Sequence, residues 1–178
     1  MNDTINVIKK LTRPVAQKAA LASARCIIKL VNDSVPLQSV QIDALAGETR
    51  SDVERVQEYG FTSMPQADCR GIAIFIGGDR SSGVVIATDD TRYRKKDLLP
   101  GEVAIYTDEG DYIHFKRGKE IEIVTGCKLI VTAPQTEITG DISILGNVTV
   151  SGDVVASGKS LVNHIHTCPH GGNTSEPN

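Results

Sequence analysis

Gly140-Asp-Ile-Ser-Ile-Leu-Gly146-Asn-Val-Thr-Val-Ser-Gly152-Asp-Val-Val-Ala-Ser-Gly158 is the stretch on which the fold turns. Glycine recurs every six residues, and each interval holds four residues that alternate in the manner of a β-strand. Ile142, Ile144, Val148, Val150 and Val154 share one side, while Asp141, Asn147 and Asp153 occupy equivalent turn positions. Such self-similarity at a fixed period marks a repeat architecture. Three hexads complete a single triangular rung, and one rung has no neighbouring coils to cover its apolar face. Three identical chains around one axis would supply the missing cover. Each hexad then forms one side of a prism, with Gly140, Gly146, Gly152 and Gly158 at corners that need positive φ or leave no room for a Cβ. A prism of this kind also exposes few strand edges. Hairpins on an ordinary monomer fit less well, because two-residue hairpin turns favour Asn-Gly or glycine-first sequences.

Just beyond the last glycine the chain reads Lys159-Ser-Leu-Val-Asn-His164-Ile-His166. On a strand, residues two apart point the same way, roughly 6.5–7 Å from each other. Two histidines per chain form a weak site, but a threefold axis turns them into six imidazoles in two staggered triangles. That octahedral nitrogen set is unlike tetrahedral zinc and suits Fe²⁺, Ni²⁺ or Co²⁺, with iron favoured by availability. One ion per trimer, saturated by His164 and His166 of each chain, would have no open position for substrate. Its role would be to hold fraying chain ends together. His114 and His170 are expected outside the ligand set, and Cys168 is a weaker candidate as a soft ligand. Further ions on the axis would need Ser143 or Thr149 to turn inward.

Upstream of the repeat the period is also two. Arg25–Val31, Ser39–Leu45, Gly71–Ile76, Gly83–Thr88, Glu102–Thr107 and Asp111–Lys116 read as strands bounded by Gly, Asp or Pro. The unbroken apolar run Gly71–Ile76 suggests a strand buried on both faces. Arg50–Gly60 reads as a long excursion between strands, in which Asp52 could cap a helical turn. Five or six short strands suggest a small barrel of OB type. Residues 1–21 carry a ragged apolar stripe interrupted by Pro14, consistent with a short helix or an arm that docks on a neighbour. Shorter strands follow at Glu120–Val124, Lys128–Thr132 and Thr136–Thr139. The expected organisation is all-β: an arm (1–23), an OB-like barrel (24–117), a trimeric β-helical or β-prism shaft (118–160) and an iron-binding tip (161–178).

Composition narrows the function. The formal charge of −3 and a pI near 5.8 argue against nucleic acid as the main partner. The basic run Arg92–Lys96 is short and reads as a solvated loop, and Gly77-Gly78-Asp79-Arg80 lacks the ending of a phosphate-binding loop. The four cysteines show no paired spacing and read as buried, reduced thiols of a protein made in a cytoplasm. Neither a leader's apolar segment nor a run long enough to span a bilayer is evident.

The stretches Asp52-Val-Glu-Arg-Val-Gln-Glu-Tyr-Gly-Phe-Thr-Ser-Met-Pro65, Ile74-Phe-Ile-Gly-Gly-Asp-Arg-Ser-Ser82 and Thr91-Arg-Tyr-Arg94 resemble the Mu-like phage baseplate assembly protein V family, the central spikes of contractile tails. The resemblance runs from about Arg25 to the histidine-containing C-terminus. It implies a homotrimer with an OB-fold domain toward the tail tube and hub, a β-helical shaft, and an apex in which an HxH motif, here His164 and His166, binds iron. It further implies a place in the virion tail baseplate, assembly in the host cytoplasm, and passage through the host outer membrane on sheath contraction. The polar residues after His166 form a longer tail than a bare apex requires. Two rival functions fit less well. A receptor-binding or polysaccharide-degrading tail spike would need paired carboxylates and aromatic platforms, but the chain has seven aromatics and no Trp. A non-haem iron oxygenase would need a carboxylate beside the two histidines and open coordination positions.

Overall fold

A computed structural model describes residues 2–44, 47–167 and 170–172. Two compact units emerge, residues 1–130 and 131–178. In the first, helix α1 (Asn2–Ala20) leads into β1 (Ser23–Asn32), β2 (Ser39–Asp43), β3 (Thr49–Arg55), β4 (Arg70–Phe75) and β5 (Gly83–Asp89). These five strands close into a barrel in the order β1-β2-β3-β5-β4. All pairings are antiparallel except the closure, where β3 runs parallel to β5 with Glu54 opposite Val84.

Alternation explains which side chains fill the barrel. Ile28, Val40, Ile42, Val53, Ala73, Phe75 and Val85 point inward and are buried together with Cys26 and Cys69. Burying each of the larger aliphatic side chains contributes about 1.5–3 kcal/mol. The run Gly71–Ile76 departs from its expected double burial: Gly71, Ala73 and Phe75 are enclosed, while Ile72 and Ile74 remain 37% and 39% exposed. A barrel wall has one interior, so only alternate residues of an apolar run can enter it.

The expected excursion at Arg50–Gly60 is instead largely strand β3. Val53 and Arg55 face inward, and Glu54 between them faces water. Val40 pairs with Val53 and Ile42 with Arg50, so Ser51 and Asp52 together oppose Gln41. That is a β-bulge, and Asp52 takes a φ of 57° within it. Asp52 caps no helix.

Arg55, only 7% exposed, organises the following loop. Its guanidinium donates to Gln38 Oε1 at 2.7 Å, to the Ser63 carbonyl at 2.8 Å, to Ser63 Oγ at 3.0 Å and to Thr88 Oγ1 at 3.1 Å. Burial holds its pKa below the usual arginine range. Removing a buried donor set leaves its acceptors unsatisfied, at roughly 1–3 kcal/mol per group. Arg55→Ala should therefore lower stability by about 3 kcal/mol and expose residues 56–66 to protease. Urea midpoints and limited proteolysis check this; an unchanged midpoint with an intact loop would contradict the bracing role.

The strands β6 (Val103–Tyr106) and β7 (Tyr112–Lys116), expected in the barrel, pair instead with β8 (Glu120–Val124) in a separate antiparallel sheet. The five barrel strands have already closed on one another, which leaves no edge for a sixth. Glu102 ties this sheet to its flanking turns. Its carboxylate accepts from the Arg117 N–H at 2.9 Å, from the Leu99 N–H at 3.0 Å and from His114 Nε2 at 3.1 Å. Those bonds hold the Glu102 carboxyl below the usual range, the Arg117 N–H first among them.

The thiols also divide. Cys26 and Cys69 are free and buried; burial, then the neighbouring Cys69, pushes the Cys26 pKa up to about 11. Cys127 is exposed, which corrects the expectation of uniformly buried cysteines, and Cys168 lies outside the described residues. Helix α1 runs through Pro14 for 19 residues instead of being interrupted by it. Among the described residues no helix is long and apolar enough to cross a membrane.

In the second unit, the described strands are only β9 (Val155–Ala156) and β10 (Lys159–Ser160). The four-residue fillings at 141–144 and 147–150, and the expected strands Lys128–Thr132 and Thr136–Thr139, form no ladder within one chain. A strand needs a partner to hydrogen-bond, and a single copy brings none alongside.

Candidate functional site

The hexads present their apolar residues to solvent. Ile142, Ile144, Val148 and Val150 are 62%, 58%, 63% and 49% exposed in the isolated chain. Of the four repeat glycines, Gly140 (φ 128°) and Gly158 (φ 76°) take the conformation that disfavours a side chain, while Gly146 and Gly152 do not. A Cβ added at any of the four would meet nothing within 4 Å. Crowding inside one chain therefore does not explain Gly146 or Gly152.

At the last corner, Ser157 (φ 51°) and Gly158 close a two-residue hairpin that pairs Ala156 with Lys159. Left-handed geometry at both positions is that of a type I′ turn. The expectation that Ser-Gly would avoid such hairpins is thus corrected at this corner. Glycine accepts the second position without strain, and serine tolerates the first.

The hairpin carries the histidines. The Leu161 N–H donates to the Val154 carbonyl at 2.8 Å, and the Val162 N–H donates to Asp153 Oδ1 at 3.1 Å. Ser160 Oγ accepts from the Asn163 N–H at 2.8 Å. The Ser160 hydroxyl, then the Val162 N–H, hold the Asp153 carboxyl below its ordinary range. Asp153, read from sequence as one of three equivalent turn positions, therefore positions the segment leading to His164. Its missed signal was a carboxylate nine residues before a turn, which becomes visible only once the hairpin folds back.

His164 Nδ1 lies 2.9 Å from the Leu161 carbonyl oxygen. A carbonyl only accepts, so Nδ1 is the nitrogen that donates in this contact, and Nε2 is the nitrogen left to bind a metal. The His164 and His166 rings stand side by side, with centroids 5.1 Å apart and planes at 84°. His164 is half-buried and His166 exposed. Among the described residues, one chain gathers no group of three or more His, Cys, Asp or Glu able to hold a metal ion. The donor chemistry fits a nitrogen-preferring divalent ion, but a single copy supplies two imidazoles only. His114 belongs to the first unit, where Glu102 engages it, and His170 is exposed.

A protein of Escherichia phage Mu named "Baseplate puncturing device gp45" is 30% identical over 192 residues, an alignment covering 98% of this chain and 96% of its own. The chain belongs to the Mu gp45 family. A second gp45 relative, the Mu-like prophage FluMu protein gp45 of Haemophilus influenzae, is 29% identical over 156 residues, covering 79% of this chain and 84% of its own. The family model described as Bacteriophage Mu Gp45, N-terminal, matches residues 25–92. That match runs from Arg25 within β1 to just past β5, together with the Arg55-braced loop. The hexads and the His164/His166 pair lie beyond this gp45 N-terminal region.

Proposed function

We propose that this gp45-family chain is one third of a homotrimeric, non-enzymatic central spike of a contractile phage tail, which pierces the host outer membrane as the tail contracts. Its place is the tail baseplate of the virion, where the barrel, whose β1-β2-β3-β5-β4 order and parallel β3–β5 closure we assign to the OB type, seats against tube and hub proteins. The name of the phage Mu relative, a baseplate puncturing device, supports this reading. One observation carries it: the repeat leaves Ile142, Ile144, Val148 and Val150 exposed at 49–63%, in a segment that buries none of these four side chains within one copy. Three copies wound as a β-prism shaft would bury that face and pair its unladdered strands.

The same symmetry would bring His164 and His166 of three chains together as six imidazoles around one iron. The Nδ1–carbonyl contact of His164 supports this by leaving Nε2 as its metal-binding nitrogen. The ion would supply structural closure of the apex; the residues' own work is to hold three chain ends at a stiff point. Axial ions beside Ser143 or Thr149 remain compatible with the prism. A polysaccharide-degrading role finds no support in paired carboxylates along the hexads.

Light scattering with metal analysis tests the reading. Three copies of a 19.1 kDa chain predict about 57 kDa, with one iron per three chains. His164→Ala/His166→Ala should abolish bound iron while the mass stays near 57 kDa, because the prism core lies upstream. A metal-free wild-type monomer would refute the proposal, and two irons per chain or predominantly zinc would refute the octahedral site.

A further inference from the structure

Among the apolar surfaces exposed on the first unit, two are of complementary kinds, a helix stripe and a sheet face. One is α1, where Ile8, Leu11 and Val15 recur at i, i+3 and i+7 on one face, with Leu11 72% and Val15 70% exposed. The other is the outer wall of β4 and β5, where Ile72, Ile74 and Ile86 point away from the barrel. The helix cannot swing onto its own wall. Its last turn is packed at the β4–β5 connection, where a Cβ on Gly78 would sit 2.5 Å from the Lys18 carbonyl oxygen, and the Phe75 N–H donates to the Ala22 carbonyl at 2.8 Å.

We propose that α1 of each chain docks on the β4–β5 wall of a second copy, a contact that rests on the trimeric reading above. Helix on sheet is the ordinary way both elements lose apolar exposure. With Ile5 and Val7 included, the helix stripe spans nearly half its circumference, wider than a coiled-coil seam and suited to a flat face. Lys9, Lys10, Arg13 and Lys18 against Asp3 give residues 1–20 a net +3. Beside the wall, a cleft carries Asp43 and Asp89 along with Arg25 and Arg70, offering ion-pair positions at the helix's edges. Two different patches meeting between identical chains form a head-to-tail contact, which closes into a ring under threefold symmetry.

Amide hydrogen exchange on the full-length protein tests this, with mass followed in parallel. In the wild type, α1 amides should be protected. That protection should be lost in Ile8→Asp/Leu11→Asp and equally in Ile72→Asp/Ile74→Asp, while the mass stays near that of three chains. The wall isoleucines point outward, so circular dichroism should show an intact barrel. Because the last turn of α1 is held at the β4–β5 connection of its own chain, loss through Ile72→Asp/Ile74→Asp reports a contact between copies. Unprotected wild-type α1 amides, or protection insensitive to the wall substitutions, would overturn the contact while leaving the trimer standing. Protection that appears only with phosphatidylglycerol vesicles would assign the stripe to lipid and also overturn it. A monomeric wild type would instead remove the trimeric reading itself.

Discussion

A chain carrying Ile142→Ser, Ile144→Ser, Val148→Ser and Val150→Ser should scatter light as a species near 19 kDa at micromolar concentration, in place of one near 57 kDa. Each of these side chains contributes about 1.5–3 kcal/mol when removed from water. Four per chain in three chains give on the order of 20–35 kcal/mol of gross burial. Association and ordering cost roughly 4–15 kcal/mol or more, so the shaft holds together only while that face is apolar. The barrel has its own buried core in the first unit and should keep its strand signature in the far ultraviolet. The same chain should also lose iron, since the apex histidines would no longer converge. Retention of the trimeric mass would mean that the hexads do not set the oligomeric state. Deleting residues 140–178 should likewise leave barrels that associate only weakly.

Phe75→Ala should cost about 4 kcal/mol, within the 3–5 kcal/mol range for aromatic truncation in a core. The ring is 1% exposed at the end of β4. A Cβ added at Gly83 would lie 2.9 Å from Phe75 Cε1, so the opposing strand has no side chain there to fill a void. The ring also underlies Arg80, whose guanidinium carbon sits 3.6 Å from the centroid and whose guanidinium pairs with Glu48. Truncation would thus open a cavity and remove the platform of an ion pair. Since domains have total stabilities of about 5–15 kcal/mol, the barrel should melt well below the wild type while the hexad-driven trimer persists. A shift in urea midpoint equivalent to less than about 1 kcal/mol would show that Phe75 is not central to the core.

Most strands of the first unit were legible from their alternation, whereas reading one property alone misled. Gly71–Ile76 looked doubly buried because Ile72 and Ile74 are as apolar as the residues between them; nothing local distinguishes an inward isoleucine from an outward one. Arg50–Gly60 looked like an excursion because the inward pair of its strand portion is Val53 and Arg55, and an arginine at a core position resembles a surface residue until its four acceptors are in place. The His164/His166 pair could be singled out by spacing, whereas Asp153, which positions their turn, could not.

The order of residues alone determined the six-residue glycine period, the two histidines beyond it and the alternating character of the barrel strands, because periodicity is a property of the covalent chain. Tertiary structure alone decided that β3 closes the barrel against β5, that Val103–Val124 forms a sheet of its own, and that Arg55 and Asp153 brace the segments that follow them. Those outcomes depend on which distant groups meet. Hydrogen bonds and buried surfaces form between partners in space, and a linear string does not name the partner.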